Sequence, residues 1–131
     1  MRRLASTMVL CLMVTACAAP DSAGVRDPAL FRQVALQSTV DSPGPYTDVA
    51  RCFEDQAALL PMTSFIPDEA AGRTTYRLRG FGYTFEEIEF ARTATGSQAT
   101  IFIAPNLNDR WHQDFERDRG ATLNACAAAG P

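Results

Sequence analysis

The chain has 131 residues, with 12 basic residues against 15 acidic residues and a net charge of −3. This length fits one domain, and it excludes a doubly wound nucleotide-binding fold joined to a second, substrate-binding domain. The net negative charge argues against general nucleic-acid binding, which needs a basic surface. A hydrophobic content of 47% with 21% charged residues is typical of a globular protein.

The N-terminus has the pattern of an export signal. Arg2 and Arg3 precede a run of uncharged and mostly apolar residues that extends from Leu4 to Ala16. This run is shorter than the ~20 residues that a membrane-spanning helix needs, and small residues end it. We therefore predict that residues 1–16 are a signal peptide, and we leave them out of the fold prediction.

The end of this segment resembles the lipobox of bacterial lipoproteins, in which a branched apolar residue and two small residues precede a cysteine, here Val14-Thr15-Ala16-Cys17. The resemblance implies that Cys17 becomes the first residue of the mature protein, carries fatty acyl chains and anchors the protein to the lipid bilayer. Ala18 follows where retained lipoproteins have Asp, which implies the periplasmic face of the outer membrane. The family prefers Leu at the position of Val14. The competing interpretation is cleavage after Ala18, which would release a soluble periplasmic protein.

Residues 17–46 are predicted to be the lipidated N-terminus and a flexible tether, because Pro, Gly and polar residues dominate this segment. Residues 18–46 would span roughly 30 Å as a coil and about 95 Å when fully extended. Within the segment, Asp27 and Pro28 are typical of a helix start and predict a short helix up to Gln37. We interpret this helix as loosely packed on the domain, with partner binding as the alternative.

Residues 47–131 have the hydrophobic patterns of a small α+β domain. Apolar residues at helical spacing predict a first helix that is capped by Thr47 and ends before Pro61. A second helix is predicted from Asn108 to Cys126, although Gly120 weakens it by about 1 kcal/mol relative to Ala. The apolar positions are Val49, Cys52, Phe53, Ala57 and Leu60 in the first helix, and Trp111, Phe115, Thr122 and Cys126 in the second.

Three strands are predicted between these helices. Thr74 to Arg79 and Glu86 to Thr93 alternate apolar and polar residues, whereas Ala99 to Ala104 is mostly apolar, as in a central strand. Gly96-Ser97 provides a hairpin turn. The prediction is therefore a three-stranded antiparallel sheet with the helices on one face.

The first two predicted strands bring opposite charges together. Arg77 and Arg79 would share a sheet face with Glu87 and Glu89, at about 0.2–1 kcal/mol for each cross-strand pair. We interpret this face as a solvated surface with ion pairs. A binding surface for a charged ligand is the alternative.

Two cysteines remain for the folded domain once Cys11 is removed with the signal and Cys17 is acylated, as the resemblance implies. Export to an oxidising compartment then predicts a disulfide between Cys52 and Cys126. A redox or metal role is the alternative, although neither cysteine lies in a Cys-x-x-Cys motif. One cysteine in the first helix and one at the end of the last helix is also similar to the layout of small bacterial envelope lipoproteins, a resemblance that implies no activity.

Residues with catalytic potential do not form a recognised motif. His112 is the single histidine, and Asp109 or Asp114 would be its partner in a metal or catalytic site. An exposed helical histidine is the simpler interpretation. No Gly-x-Ser-x-Gly turn supports nucleophilic catalysis.

Three glutamates in the second predicted strand, Glu86, Glu87 and Glu89, suggest a cell-wall glycosidase. Such an enzyme needs two carboxylates on either side of a sugar cleft. The alternation places Glu86 on the face opposite the other two, so a non-enzymatic protein is the better interpretation.

The segment from Gly80 to Phe85 is the strongest binding candidate. Phe81 and Tyr83 lie in the connection between two strands, and aromatic residues of this kind are enriched at interfaces. The alternative is that Phe81 and Phe85 fold over the edge of the core.

These features predict a non-enzymatic envelope lipoprotein with a structural, assembly or accessory binding role. Its partners would be the bilayer, through acylated Cys17, and an envelope protein. The alternative is a soluble or tethered periplasmic ligand-binding or inhibitor module that uses the same loop or the charged sheet face. No cofactor, metal or nucleic acid is predicted.

Overall fold

A computed structural model describes residues 24–129 of the chain. The predicted signal peptide and the predicted acylation site, Cys17, lie outside the described residues. The helices are α1 (Pro28–Val34), α2 (Tyr46–Gln56), α3 (Asp109–Phe115) and α4 (Ala121–Ala128). The strands are β1 (Leu36–Ser42), β2 (Thr63–Asp68), β3 (Arg73–Gly80), β4 (Tyr83–Thr93) and β5 (Gly96–Ile103). A 3-10 turn (Glu69–Ala71) connects β2 to β3, and a π-helical turn (Glu116–Gly120) joins α3 to α4.

The sheet has five antiparallel strands in the order β1-β5-β4-β3-β2. Its register places Tyr76, Ile88 and Ile101 side by side, and all three are buried. The α+β class is therefore confirmed, but the prediction of three strands is wrong. The three predicted strands correspond to β3, β4 and β5, and the two additional strands form the edges of the sheet.

Both additional strands have weak sequence patterns. β2 contains Pro67, which lacks a backbone N–H and is tolerated in sheets mainly at edges. β1 is largely polar, and it forms because its backbone pairs with β5 from Leu36 opposite Ile103 to Ser42 opposite Ser97. The prediction of a flexible tether is therefore wrong for residues 28–42, which fold onto the domain as α1 and β1.

The two faces of the sheet carry different helices. α2 packs on the apolar face, where the ring centroid of Phe53 lies 5.2 Å from that of Tyr76 and 5.7 Å from that of Phe90. α1 lies on the opposite face, where Arg32 forms an ion pair with Glu87. The helices predicted for residues 47–131 thus lie on the apolar face, whereas α1, from the predicted tether, lies on the other. The charged side chains of that face explain the difference, because they offer α1 an ionic rather than an apolar contact.

The first predicted helix corresponds to α2, with different ends. Pro45 rather than Thr47 occupies the N-cap position, and no side chain caps the helix there. The helix ends at Gln56, four residues before the predicted end, and Ala58 donates its backbone N–H to the carbonyl of Asp118 at 3.3 Å. This hydrogen bond draws the loop after α2 toward the π-helical turn.

The second predicted helix is present but contains the π-helical turn. Its N-cap is Asn108, whose side chain accepts the N–H of Trp111 at 2.9 Å. The helix does not end at Gly120, where a break was considered. Gly120 instead fits the π-helical turn, because a Cβ atom there would lie 2.9 Å from a carboxylate oxygen of Glu116.

The π-helical turn aligns three buried side chains on one side of the helix. Phe115, Arg119 and Leu123 follow one another at intervals of four residues, and each is buried. In a regular α-helix, eight residues would rotate Leu123 by roughly 80° away from Phe115. The extra residue of the π-helical turn reduces this rotation, so that all three side chains face the sheet.

The predicted disulfide is confirmed. Cys52 on α2 and Cys126 on α4 are bonded, with their Cα atoms 5.8 Å apart. The bond joins the two helices that cover the apolar face, and it spans most of the described chain.

Candidate functional site

The turn between β3 and β4 holds a phenylalanine in an unfavourable backbone conformation. Phe81 and Gly82 have φ angles of 54° and 80°, as in the type I′ hairpin turn. Asn and Gly are the residues that this turn prefers, and a bulky residue with a positive φ angle is uncommon. The side chain of Phe81 is nonetheless 87% exposed, so packing on the core does not explain its presence.

An apolar concavity of about 270 Å³ lies beside this turn. We call it the apolar site, and all of its lining side chains are aliphatic or aromatic. They are Leu60, Pro61, Met62, Leu78, Phe81, Phe85 and Trp111. Among them, Leu60 and Met62 are also exposed, so the concavity continues into an exposed apolar surface.

The floor of the apolar site is built from packed rings. Phe85 stacks on Trp111 with 5.3 Å between ring centroids and 24° between ring planes. Met62 also has a positive φ angle, of 69°, and occupies space that a Cβ atom at Gly80 would fill. The absence of a side chain at Gly80 therefore brings Met62 against the hairpin.

Two arginines lie at the hairpin that presents Phe81, although neither lines the apolar site. Arg26 donates a hydrogen bond to the Tyr83 hydroxyl at 2.6 Å, and its guanidinium carbon lies 5.0 Å from the ring centroid. Arg79 donates a hydrogen bond to the hydroxyl of Thr84 at 2.8 Å. Within residues 24–129, neither arginine forms a salt bridge with a carboxylate. Of the two predicted contact residues, Phe81 lines the apolar site, whereas Tyr83 does not and instead contacts Arg26.

The alternative placement, with Phe81 and Phe85 both folded over the core, is half correct. Phe85 is partly buried and packs against the core, whereas Phe81 extends into solvent. The type I′ turn explains the difference, because its tip projects beyond the end of the sheet.

The charged face of the sheet is an ion-pair network that holds α1. Glu87 is paired with Arg77, at 3.3 Å between Nε and Oε1, as the strand register predicts. Arg32 of α1 reaches Glu87 at 3.0 Å and Glu89 at 2.6 Å. Arg79 does not join the network, because the register shifts between Leu78 and Arg79 and places it opposite Thr84.

A groove of about 330 Å³ lies between α1 and this face. The arginines that line it are Arg32, Arg73 and Arg77, and each lies within 4.0 Å of a carboxylate. The arginines are thus already neutralised by the protein itself, which leaves little attraction for an anionic ligand.

Glu86, the first of the three glutamates in β4, is buried together with an arginine that balances its charge. Glu86 is fully buried, and its Oε1 lies 2.7 Å from a guanidinium nitrogen of Arg119, which is also buried. The Tyr76 hydroxyl donates to the same oxygen at 3.3 Å. Burial raises the pKa of Glu86 above its ordinary value, while Arg119 and Tyr76 favour the charged form. Glu86 lines none of the concavities described above, and it faces away from Glu87 and Glu89.

Sequence reasoning did not identify the ion pair of Glu86 and Arg119. The sequence nevertheless indicates that Glu86 has a buried partner. Glu86 shares its strand face with Ile88 and Phe90, and a carboxylate is rarely buried without a partner. Its partner was hidden, because the π-helical turn that brings Arg119 to the sheet has no recognisable sequence pattern.

Other candidate sites have little support in the described part of the chain. His112 lies on α3, and no group of three metal-ligating side chains is positioned to hold a metal ion within residues 24–129. The described helices are all too short or too polar to cross a membrane.

Comparison with known proteins finds no match to a protein family, to a curated protein or to a solved structure.

Proposed function

We propose that this chain is an exported envelope lipoprotein, anchored through acylated Cys17 to the periplasmic face of the outer membrane. Its domain would have a non-enzymatic, structural or accessory binding role and would contact an envelope component through the apolar site. The observation that carries the binding role is Phe81, which is 87% exposed at a backbone position that disfavours it.

The exposed Phe81 indicates binding because its backbone conformation has an energetic cost. A non-glycine residue in the left-handed region costs about 1–2 kcal/mol, and an exposed phenyl ring recovers none of that cost within the domain. Exposed apolar patches next to a concavity are typical of interaction sites. A binding partner that covers Phe81 would bury its ring and so offset the cost of the left-handed backbone conformation.

The alternative of a ligand-binding module on the charged face has weaker support. Arg32, Arg73 and Arg77 already face carboxylates, and an anionic ligand would have to displace Glu87 or Glu89 from them. A glycosidase has weak support too, because Glu86 and Glu87 face opposite sides of the sheet.

The intact mass of the protein, purified from bacterial envelopes without reducing agent, tests the anchor. We expect a chain that begins at Cys17, heavier by its acyl chains and lighter by two hydrogens for the disulfide. A chain that begins at Ala19 without lipid would contradict the anchor and favour the soluble periplasmic module.

The variant Phe81→Asn tests whether Phe81 is kept for binding. Asn-Gly is the preferred sequence of a type I′ turn, so we expect the free energy of unfolding to rise by roughly 0.5–1 kcal/mol. Urea denaturation of the wild type and the variant measures the difference. A loss of stability would show that Phe81 serves the fold, and the argument for a binding role would then fail.

A further inference from the structure

We propose that the occupant of the apolar site is the lipid surface to which the protein is anchored, so that the Phe81 hairpin docks on an anionic bilayer. This inference rests on the proposed anchor at Cys17. It adds the surface by which the domain itself touches the membrane and therefore the orientation of the domain.

The first observation concerns Gly24 and Val25, the first two residues that the structure describes. Gly24 lies against the hairpin, since a Cβ atom there would be 3.0 Å from Phe85 and from Tyr83. The next residue, Val25, exchanges two backbone hydrogen bonds of 2.9 Å with Thr84. The first described residues therefore lie beside the turn end of the same hairpin that presents Phe81.

The second evidence is the length of chain between this point and the anchor. Cys17 precedes Gly24 by seven residues. Seven residues span at most about 25 Å, compared with the ~95 Å expected for a free tether of residues 18–46. An acylated Cys17 would therefore keep the hairpin close to the bilayer, where a short linker gives a high effective concentration for docking.

The third evidence is the chemistry of the surface. The apolar site is lined by Phe81, Met62 and Leu60 among other apolar residues. Two arginines lie at the same hairpin, since Arg26 donates a hydrogen bond to Tyr83 and Arg79 donates one to Thr84. Aromatic residues are favoured at the membrane interface, and arginines near an anionic surface are attracted to its headgroups. Neither of these two arginines forms a salt bridge with a carboxylate within residues 24–129, unlike the arginines of the charged face. The combination fits an anionic lipid surface.

Trp111 provides a reporter for the test. It is the single tryptophan of the chain and lines the apolar site. The mature protein, purified from envelopes, is reconstituted in anionic vesicles whose acyl chains carry bromine, a contact quencher of indole fluorescence. We expect quenching of the wild type, and a fall of about tenfold in the ratio of docked to undocked domain for Phe81→Asn.

The matched control is Val34→Ser, which removes another exposed apolar side chain, on α1 and outside the apolar site. This variant should be quenched like the wild type. Equal loss in the two variants would overturn the proposal, because docking would then not depend on the apolar site.

The intact mass of the same samples separates the two proposals. An acylated protein without quenching overturns lipid docking and leaves the anchor in place. A protein without acyl chains that is still quenched supports lipid docking and contradicts the anchor. If Trp111 is shielded only when an envelope protein is added, the occupant is a protein and the lipid proposal is wrong.

Discussion

Replacing Arg119 with methionine is expected to lower the free energy of unfolding by about 3–5 kcal/mol at neutral pH, because the change leaves Glu86 as a buried and unpaired charge. Glu86 is fully buried in the wild type and has no other cation within 4.0 Å in residues 24–129. Urea denaturation followed by circular dichroism measures the loss. A cost below about 1 kcal/mol would show that water or a rearranged side chain replaces the guanidinium.

The stability lost in Arg119→Met should depend on pH, with the larger loss at the higher pH. Burial raises the pKa of Glu86 in the folded state, and removal of Arg119 takes away the main influence that lowers it. A group with a raised pKa in the folded state stabilises the fold below its ordinary pKa, and this contribution is lost as the pH rises through the raised value. The cost of Arg119→Met should therefore be smallest near pH 4–5 and grow toward neutral pH.

A double variant is the control for Arg119→Met. Adding Glu86→Leu removes the orphaned carboxylate, and replacing a buried ion pair by apolar residues is often close to neutral. We expect the double variant to recover most of the lost stability and to lose the pH dependence. A double variant as unstable as the single variant would show that the cost comes from packing around the π-helical turn instead.

Removing the disulfide is expected to cost about 4.5 kcal/mol in the chain-entropy description of a loop this long, with 2–5 kcal/mol as the usual range. The bond joins residues 74 positions apart and thus constrains most of the folded domain when it unfolds. The double variant Cys52→Ala/Cys126→Ala, compared with the oxidised wild type by urea denaturation, measures the loss.

Reduction of the wild type by dithiothreitol is the companion measurement for the disulfide. It should produce a loss similar to that of the double alanine variant, and dithiothreitol should leave the variant itself unchanged. If the reduced wild type and the double alanine variant each lose less than about 1 kcal/mol of unfolding free energy, the unfolded chain is already compact without the bond.

The parts of the fold that were predictable are those with strong local patterns. β3, β4 and β5 alternate or are continuously apolar, and Asn108 and Asp27 are good helix caps, so these elements follow from their own residues. β1 was not predictable, because its polar sequence becomes a strand only by pairing with β5. Tertiary pairing outweighs local preference at sheet edges.

The candidate site was predictable only in outline. The sequence indicated Phe81 because it lies between Gly80 and Gly82 and close to two further aromatic residues. The walls of the apolar site come from three separate segments, since Met62 precedes Phe81 by 19 residues and Trp111 follows Phe81 by 30. Such a concavity depends on where the loop after α2 and the start of α3 meet, which no local pattern reveals.

The position of β1 also bears on self-association. It covers the backbone of β5, whose residues Ala99–Ile103 are uncharged, rich in β-branched and aromatic side chains and without proline. Segments of this composition form cross-β fibrils when they become an open sheet edge. Proteolysis that detaches the chain before Pro43 would uncover this edge. Residues 36–42, although their composition is that of a linker, thus cover a sheet edge that would otherwise be open to pairing with another chain.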